Sequence, residues 1–443
     1  MANPLVGIFR IKELRERIAF TFSMLVVFRI GTFIPIPGVN VRELNAYFDL
    51  HHAGGNPIID YLDFFAGGAF SNFSVFMLGI MPYISMSIIM QLLLIVFPKL
   101  KKISQEEGGK KRIQKYTRIG TVGICLVQSL AVTQFARSIS QTVENLISIS
   151  MVSFTFIAVI TVTTGTMFLM WIGEQITKRG IGNGISLLIF AGIVARLPTA
   201  IWELGTLVQL GEINPVFVAV VVVMFVAVVS LVVFEQQGQR KIPVNYAKRI
   251  VGRRMYGGAP NAFIPFKINP SGVIPVIFAS SILTFPLQIA SMIGADVAWM
   301  AAVSRALSPH GALHNIFYVL LIVFFAYFYT QVTLNPVEIS KQIRENGGSI
   351  PGIRSERIEE YLTKILNRIV LPGALYLAGI AVLPSFIQYL FGFPHSIAYL
   401  MGGTALLIMV GVDLDTMSQI ESFLKMHHHE GLTKKGRIRG RNL

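Results

Sequence analysis

The chain is short of charge, of cysteine and of acidic residues in its apolar runs. Charged residues make up 14% of its 443 residues, against roughly 25% in an average soluble domain. Hydrophobic residues make up 53%. A soluble fold of that composition could not cover its own surface, and disorder is excluded by the same excess of apolar side chains. One cysteine, Cys125, excludes an intrachain disulfide and any cysteine-based metal cluster. There is no G-x-x-x-x-G-K-[ST] loop, and so no ATPase of that kind. The glycines of Gly180-Ile181-Gly182-Asn183-Gly184 follow no strand and open an apolar helix, which rejects a dinucleotide loop. The run His427, His428 and His429 reads as solvated tail rather than a metal site. No catalytic constellation can be assembled. The expectation is a non-enzyme with no cofactor and no metal, worked by a partner or by the membrane potential.

What is present is long apolar stretches. A bilayer core of about 30 Å needs roughly 20 apolar residues per helix. Ten candidates occur, at 18–36, 73–97, 119–137, 152–173, 181–199, 215–234, 271–292, 313–332, 369–390 and 396–412. The first is too long for the core of a cleavable signal and reads as a retained span. The net charge of +15 is placed unevenly. Of 38 basic residues, 33 fall in the N-terminal segment, 98–118, 174–180, 235–270, 337–368 and the tail after 413. The opposite side holds Arg42, Arg137, Arg196 and Arg305. This bias puts both termini and the large loops in the cytoplasm. Loops 235–270 and 337–368 are longer than orientation requires, which points to a cytoplasmic partner.

The spans divide into two fives. The second span of each carries Gly and Pro at matching places, Gly79-Ile80-Met81-Pro82 and Gly272-Val273-Ile274-Pro275. Interrupted helices at matching positions point to a transport pathway between repeats. Five spans per half makes the repeat an inverted one. No acidic residue falls in mid-span, which argues against an ion-coupled carrier. Three features ask for more than a plain bundle. The stretch 56–72 is helical in pattern but too short to span, and reads either as an interfacial helix or as a re-entrant segment buried in protein. Branched aliphatics cluster near the kinks: Ile80, Ile84, Ile185, Ile189 and Ile277. Packing explains each alone. Arg29 lies in the first span, where it needs a partner such as helix-end carbonyls.

The residues Phe28-Arg29-Ile30-Gly31-Thr32-Phe33-Ile34-Pro35-Ile36-Pro37-Gly38 resemble the first-helix signature of the SecY family, central subunits of the bacterial protein-conducting channel. In order along the chain, further motifs agree: Gly79 through Ser85, Thr164 through Trp171, Gly173 through Thr177, Gly180 through Ser186, Val244 through Arg249, and Pro351 through Arg354. The resemblance reaches from residue 10 to about 415.

It implies an all-α membrane protein of ten helices, two inverted five-helix halves forming a clamshell around an hourglass pore. The halves would be 1–200 and 201–412, followed by a basic tail, 413–443. The implied constriction is Ile80, Ile84, Ile185, Ile189, Ile277 and Ile408. The spacing is consistent, since 80/84 and 185/189 are each i, i+4 and share a helix face. A ring of aliphatic side chains offers nothing in place of an ion's hydration shell and dewets when narrow. Segment 57–70 resembles a plug helix, with Ile59, Tyr61, Leu62, Phe64 and Phe65 as its body and Gly67 and Gly68 as a flexible link. Spans 2 and 7, with 3 and 8, would form a lateral gate carrying Ser87, Gln91, Ser280 and Ser281.

The long loops resemble a docking surface for the SecA motor and the ribosome, through Arg240, Lys248, Arg249, Arg253, Arg254 and Arg354. The resemblance also implies SecE and SecG as companion subunits, and signal sequences and unfolded polypeptides as passengers. The place would be the bacterial inner membrane, with release of apolar segments into its lipid. Val337 and Gln237 stand where relatives often carry Arg, which puts those individual contacts in doubt. A solute carrier and a membrane scaffold are the competing readings. The missing mid-span acids disfavour the first, and the interrupted helices with a candidate plug disfavour the second.

Overall fold

A computed structural model describes residues 11–52, 63, 66–141, 143, 145–211, 214–246, 249–251, 254–256, 263–293, 311–391 and 403–435. The chain divides into two compact units. One comprises Met1–Glu203, Gln288–Met300 and Ile408–Leu443; the other comprises Leu204–Leu287 and Ala301–Leu407.

In the first unit, helix α1 is Lys12–Gly31, α2 Val41–His52, α3 Met81–Val96 and α4 Pro98–Gln105. Then come α5 Gly109–Ser140, α6 Met151–Arg179 and α7 Gly184–Val194, while α8, Leu197–Gln209, runs across the boundary. The expected first span at 18–36 is shifted toward the N-terminus. The chain leaves the helix at Thr32, and residues 34–36 instead bond residues 73–75: Ile36 N donates to Phe73 O at 2.8 Å, and Val75 N to Ile34 O at 2.9 Å. The second span starts eight residues later than its apolar run, because Pro82 lies in the first turn of α3 and lacks the N–H that an earlier turn would need. It ends in a 103° bend between α3 and α4. The stretch 40–56, expected as loop, contains α2, which buries Leu44 and Phe48.

In the second unit, α9 is Pro215–Gln237, α11 Ala312–Thr333, α12 Pro336–Glu345 and α13 Ile358–Phe391, while α10, Ile274–Ile293, begins there and runs across the boundary after Leu287. The last helix, α14, Gly403–Lys435, runs across the boundary into the first unit. It continues far past the expected span end at 412, so the first part of the tail is helical. At 1.5 Å per residue, the 34 residues of α13 run about 51 Å, well beyond a bilayer core. Its first turns, 358–368, therefore project with loop 337–368.

Among the described residues, six helical stretches are long and apolar enough to cross a membrane, and the bent pair α3–α4 makes a seventh if taken as one span. Helices α1, α10 and α14 stand where the remaining expected spans lie. The kink positions match between the two units. Gly79 and Gly272 both have positive φ, +56° and +60°, and each precedes by three residues a proline in the opening turn of a helix.

Within the first unit the N-terminal part of α5 and the C-terminal part of α6 are tied by one buried carboxylate. Glu174 is 9% exposed; Arg118 Nε donates to its Oε1 at 2.8 Å, and Lys178 approaches Oε2 at 3.6 Å. Losing one partner of a buried pair strands the other. Arg118 is 39% exposed and partly solvated, so Glu174→Ala should cost only about 2 kcal/mol. The readout is a lower thermal unfolding midpoint in detergent, with Lys178→Ala nearly silent.

Candidate pore, plug and docking platform

Asn183 orients the second pair of ring residues: its Oδ1 accepts from Ile185 N at 3.1 Å and opens α7. The turn before it is closed from three sides. Gly184 N donates to Thr177 Oγ1 at 2.9 Å, Ile181 N to Thr21 Oγ1 at 3.1 Å, and Gly182 N to Gln419 Oε1 at 2.9 Å. Ile189, one turn beyond Ile185, is buried, and Ile185 is half-buried. Ile80 caps α3 and Ile84 lies one turn into it, both buried. Ile408 is buried on α14. These five belong to the first unit. Ile277 is half-buried in the first turn of α10, in the second unit.

The gate candidates fall on two of the four helices that carry ring candidates, α3 and α10. Ser87 and Gln91 are one turn apart on α3. Gln91 is half-buried, and its Oε1 is shielded from solvent with no hydrogen-bond partner among the described residues. Ser280 and Ser281, on α10, both donate to Ile277 O, at 2.9 and 2.8 Å. Their hydroxyls are satisfied within their own helix.

Of the plug candidates, Ile59, Tyr61, Leu62, Phe64 and Phe65 lie outside the described residues. Gly67 and Gly68 are described, with φ of +66° and +89°. Gly67 also approaches α7 so closely that a Cβ there would sit 2.7 Å from Gly192 Cα. Its role is thus close packing as much as flexibility. Arg29 finds the carbonyl partner expected of it: Nη1 donates to Gly67 O at 2.8 Å, and the guanidinium lies 4.6 Å from the Phe33 ring centre.

The two long loops are not irregular. Strand β1, Gln239–Pro243, pairs antiparallel with β5, Phe263–Lys267. Strands β3, Arg249–Val251, and β4, Arg254–Tyr256, form a hairpin. Strand β2, Asn245–Tyr246, pairs with β6, Gly348–Ser349, so the two loops are stitched to each other. Beneath them Ile242, Val244, Phe266, Ile343, Ile350, Ile358 and Leu362 form one buried cluster. The apolar positions of the two loops thus make a shared core that holds the basic edge rigid. Arg240 and Arg354 are exposed on it. Arg249 and Arg254 are placed on β3 and β4, while Lys248 and Arg253 lie outside the described residues. Val337 opens α12 beside its cap Asn335, and Gln237 ends α9.

Sequence reasoning missed Asp63, which is buried in an ion pair with Arg196. Arg196 had been counted only as an outer-side charge. Its signal was faint: a basic residue on the side that otherwise avoids them.

A many-span helical membrane protein with interrupted helices in both units and a folded platform built from its two long loops has the make-up of a membrane channel. The SecY family model matches residues 74–417. The chain is 43% identical to the protein translocase subunit SecY of Borreliella burgdorferi, covering 96% of each chain, and 42% identical to that of Escherichia coli K12, covering 97% and 96%. The fold is shared with a solved protein-conducting channel (TM-score 0.66, 20% identity, 92% of each chain) and with Sec61 in the canine ribosome-channel complex (TM-score 0.62, 19% identity, 92% of each). The chain belongs to the SecY family. It is a protein translocase subunit, a channel for polypeptide and not an enzyme.

Proposed function

We propose that the chain is the pore-forming member of a complex with SecE and SecG in the bacterial inner membrane, with both termini cytoplasmic. It passes unfolded secretory polypeptides outward and releases apolar segments sideways into lipid. In the proposed closed state, the halves 1–200 and 201–412 bring Ile80, Ile84, Ile185, Ile189, Ile277 and Ile408 around a dry constriction, with segment 57–70 as the plug above it. The observation that carries this reading is the pair of matched interrupted helices. Each begins its regular turns just after a glycine of positive φ and with a proline in the opening turn, and each places an isoleucine in that first turn.

The platform of β1–β6, α12 and the first turns of α13 takes the SecA motor, which supplies the ATP hydrolysis this chain lacks, or the ribosome. A solved relative, the yeast Ssh1 complex, is bound to a ribosome. Exposed Arg240 and Arg354 suit phosphates or acidic side chains, and ribosome affinity should fall with salt. A signal sequence is an apolar helix. Entering between spans 2 and 7, beside Gln91, it stabilises the open state as a ligand selects one of two conformations.

The test is a photocrosslinker at Ile84 with a stalled precursor and its motor. The expected result is a crosslink to precursor that appears only when the chain is threaded. Silence at Ile84, with crosslinks instead from α9 positions such as Val223, would move the path out of the proposed pore.

A further inference from the structure

The turn between α6 and α7 is held by a helix from the far end of the chain. Three of its N–H groups donate to side chains of three different helices: Ile181 N to Thr21 of α1, Gly184 N to Thr177 of α6, and Gly182 N to Gln419 of α14. Gln419 is 237 residues from Gly182 in the chain and 2.9 Å from it in the fold. Helix α14 also packs directly on the turn. Gly182 has φ of +84°, and a Cβ there would lie 3.1 Å from Thr416 Oγ1. Further along, the ring centre of Phe423 lies 4.9 Å from the Arg17 guanidinium of α1. Thr416, Gln419 and Phe423 follow at i, i+3 and i+7, so one face of α14 meets both α1 and the turn. All of these contacts lie within the first unit.

The spacing gives this contact a bearing on the pore. Ile408 and Gln419 lie on one helix, about three turns and about 16 Å apart, and therefore share a face of α14. At the other end of the bond, Gly182 stands just ahead of Ile185 and Ile189 on α7. One hydrogen bond thus joins the helix of Ile408 to the mouth of the helix that carries the 185/189 pair. A rotation of α14 by one residue position, about 100°, would carry Ile408 off that face. Gly182 is buried, so its N–H has no ready substitute for the Gln419 oxygen, and the bond counts for more than one at an open surface. We propose that Gln419 is a positioning residue of the pore. Its side-chain oxygen fixes the rotation of α14 against the mouth of α7, and so keeps Ile408 in place relative to Ile185 and Ile189. This rests on the ring reading given above. When α14 is displaced, the aliphatic wall is incomplete and water and ions enter; the bond keeps that arrangement rare.

The test is potassium efflux from preloaded vesicles that hold the assembled channel complex at rest. Gln419→Leu keeps the volume and removes the acceptor. Gln419 is exposed, so the core is untouched by the exchange. Efflux should rise about fivefold, the population shift that one ordinary hydrogen bond sets. Gln419→Glu keeps an oxygen in the same place and should leave efflux near wild type. Glu174→Ala weakens the same unit away from α14. It should lower the unfolding midpoint by more than Gln419→Leu does, with no gain in efflux. Efflux that follows the midpoint across these variants makes the bond structural only and overturns the proposal. So does equal efflux in Gln419→Leu and Gln419→Glu. Ile189→Asn separates the two failures. Wild-type efflux in Gln419→Leu beside raised efflux in Ile189→Asn discards the positioning role and keeps the ring. Wild-type efflux in both discards the ring reading itself.

Discussion

Vesicles carrying the channel with Ile84→Asn and Ile189→Asn should leak small ions at rest about a hundredfold faster than wild type. The ring resists ions because aliphatic walls offer no replacement for hydration water, and each isoleucine side chain is worth about 1.5–3 kcal/mol of aversion to water. An amide of similar size hydrates. If each exchange lowers the dewetting barrier by about 1.4 kcal/mol, each gives about tenfold, and the pair multiplies when the two act on the same barrier. Ile84 and Ile189 suit the test because they lie on different helices of one unit, α3 and α7. Ile84→Leu, which keeps the wall apolar, should leave the leak near wild type. Potassium efflux from preloaded vesicles reads it directly. A wild-type leak in the double variant, in protein that still exports, would remove these two residues from the constriction.

The sequence was most legible where one physical constraint dominated. Apolar length located the helices, because water and lipid act on every residue in a run. It was least legible where partners are remote in the chain. Nothing near Asp63 announces Arg196, and nothing near Tyr246 announces Gly348. The boundaries of α3 and α14 shifted for local reasons. Pro82 is good at opening a helix, so the apolar residues before it, 73–80, fold as turns, with Gly79 at positive φ. Past 412, α14 continues because neither Gly nor Pro occurs before Gly431 and its side chains find partners in the first unit: Gln419 accepts from Gly182 N, and the Phe423 ring lies under Arg17, 4.9 Å from the guanidinium to the ring centre. Apolarity defines a span, but hydrogen bonding defines a helix. The isoleucine pairs are visible through local i, i+4 spacing, and their grouping as a candidate constriction rests on the resemblance alone. The candidate docking arginines were read as loop residues, and the strand pair Gln239–Pro243 with Phe263–Lys267 escaped notice because its partners lie twenty or more residues apart in the chain.

Motor-driven export should fall by about a hundredfold in Arg354→Glu, while the unfolding midpoint stays within a degree or so of wild type. The separation follows from placement. Arg354 is exposed, and only its main chain is used locally, Arg357 N donating to its O at 2.9 Å. The fold therefore does not depend on the guanidinium. A partner that meets it with an anionic group loses one attraction and gains one repulsion, and a reversed charge at a contact costs several kcal/mol. Gly348→Val should give a similar loss of export by another route. A Cβ at Gly348 would lie 2.9 Å from Tyr246 Cε1 and 3.1 Å from Ile343 Cγ2, so β6 must part from β2 and the platform loses its internal seam. In that variant the cytoplasmic region should become sensitive to protease, which Arg354→Glu should not. The two together decide whether the partner reads a charge or a shape. Loss in Arg354→Glu with a protected platform assigns the charge, relieved in part by a compensating basic substitution in the motor. Equal protease sensitivity in both variants would make Arg354 a fold residue and return the docking role to Arg240 and the β3–β4 hairpin.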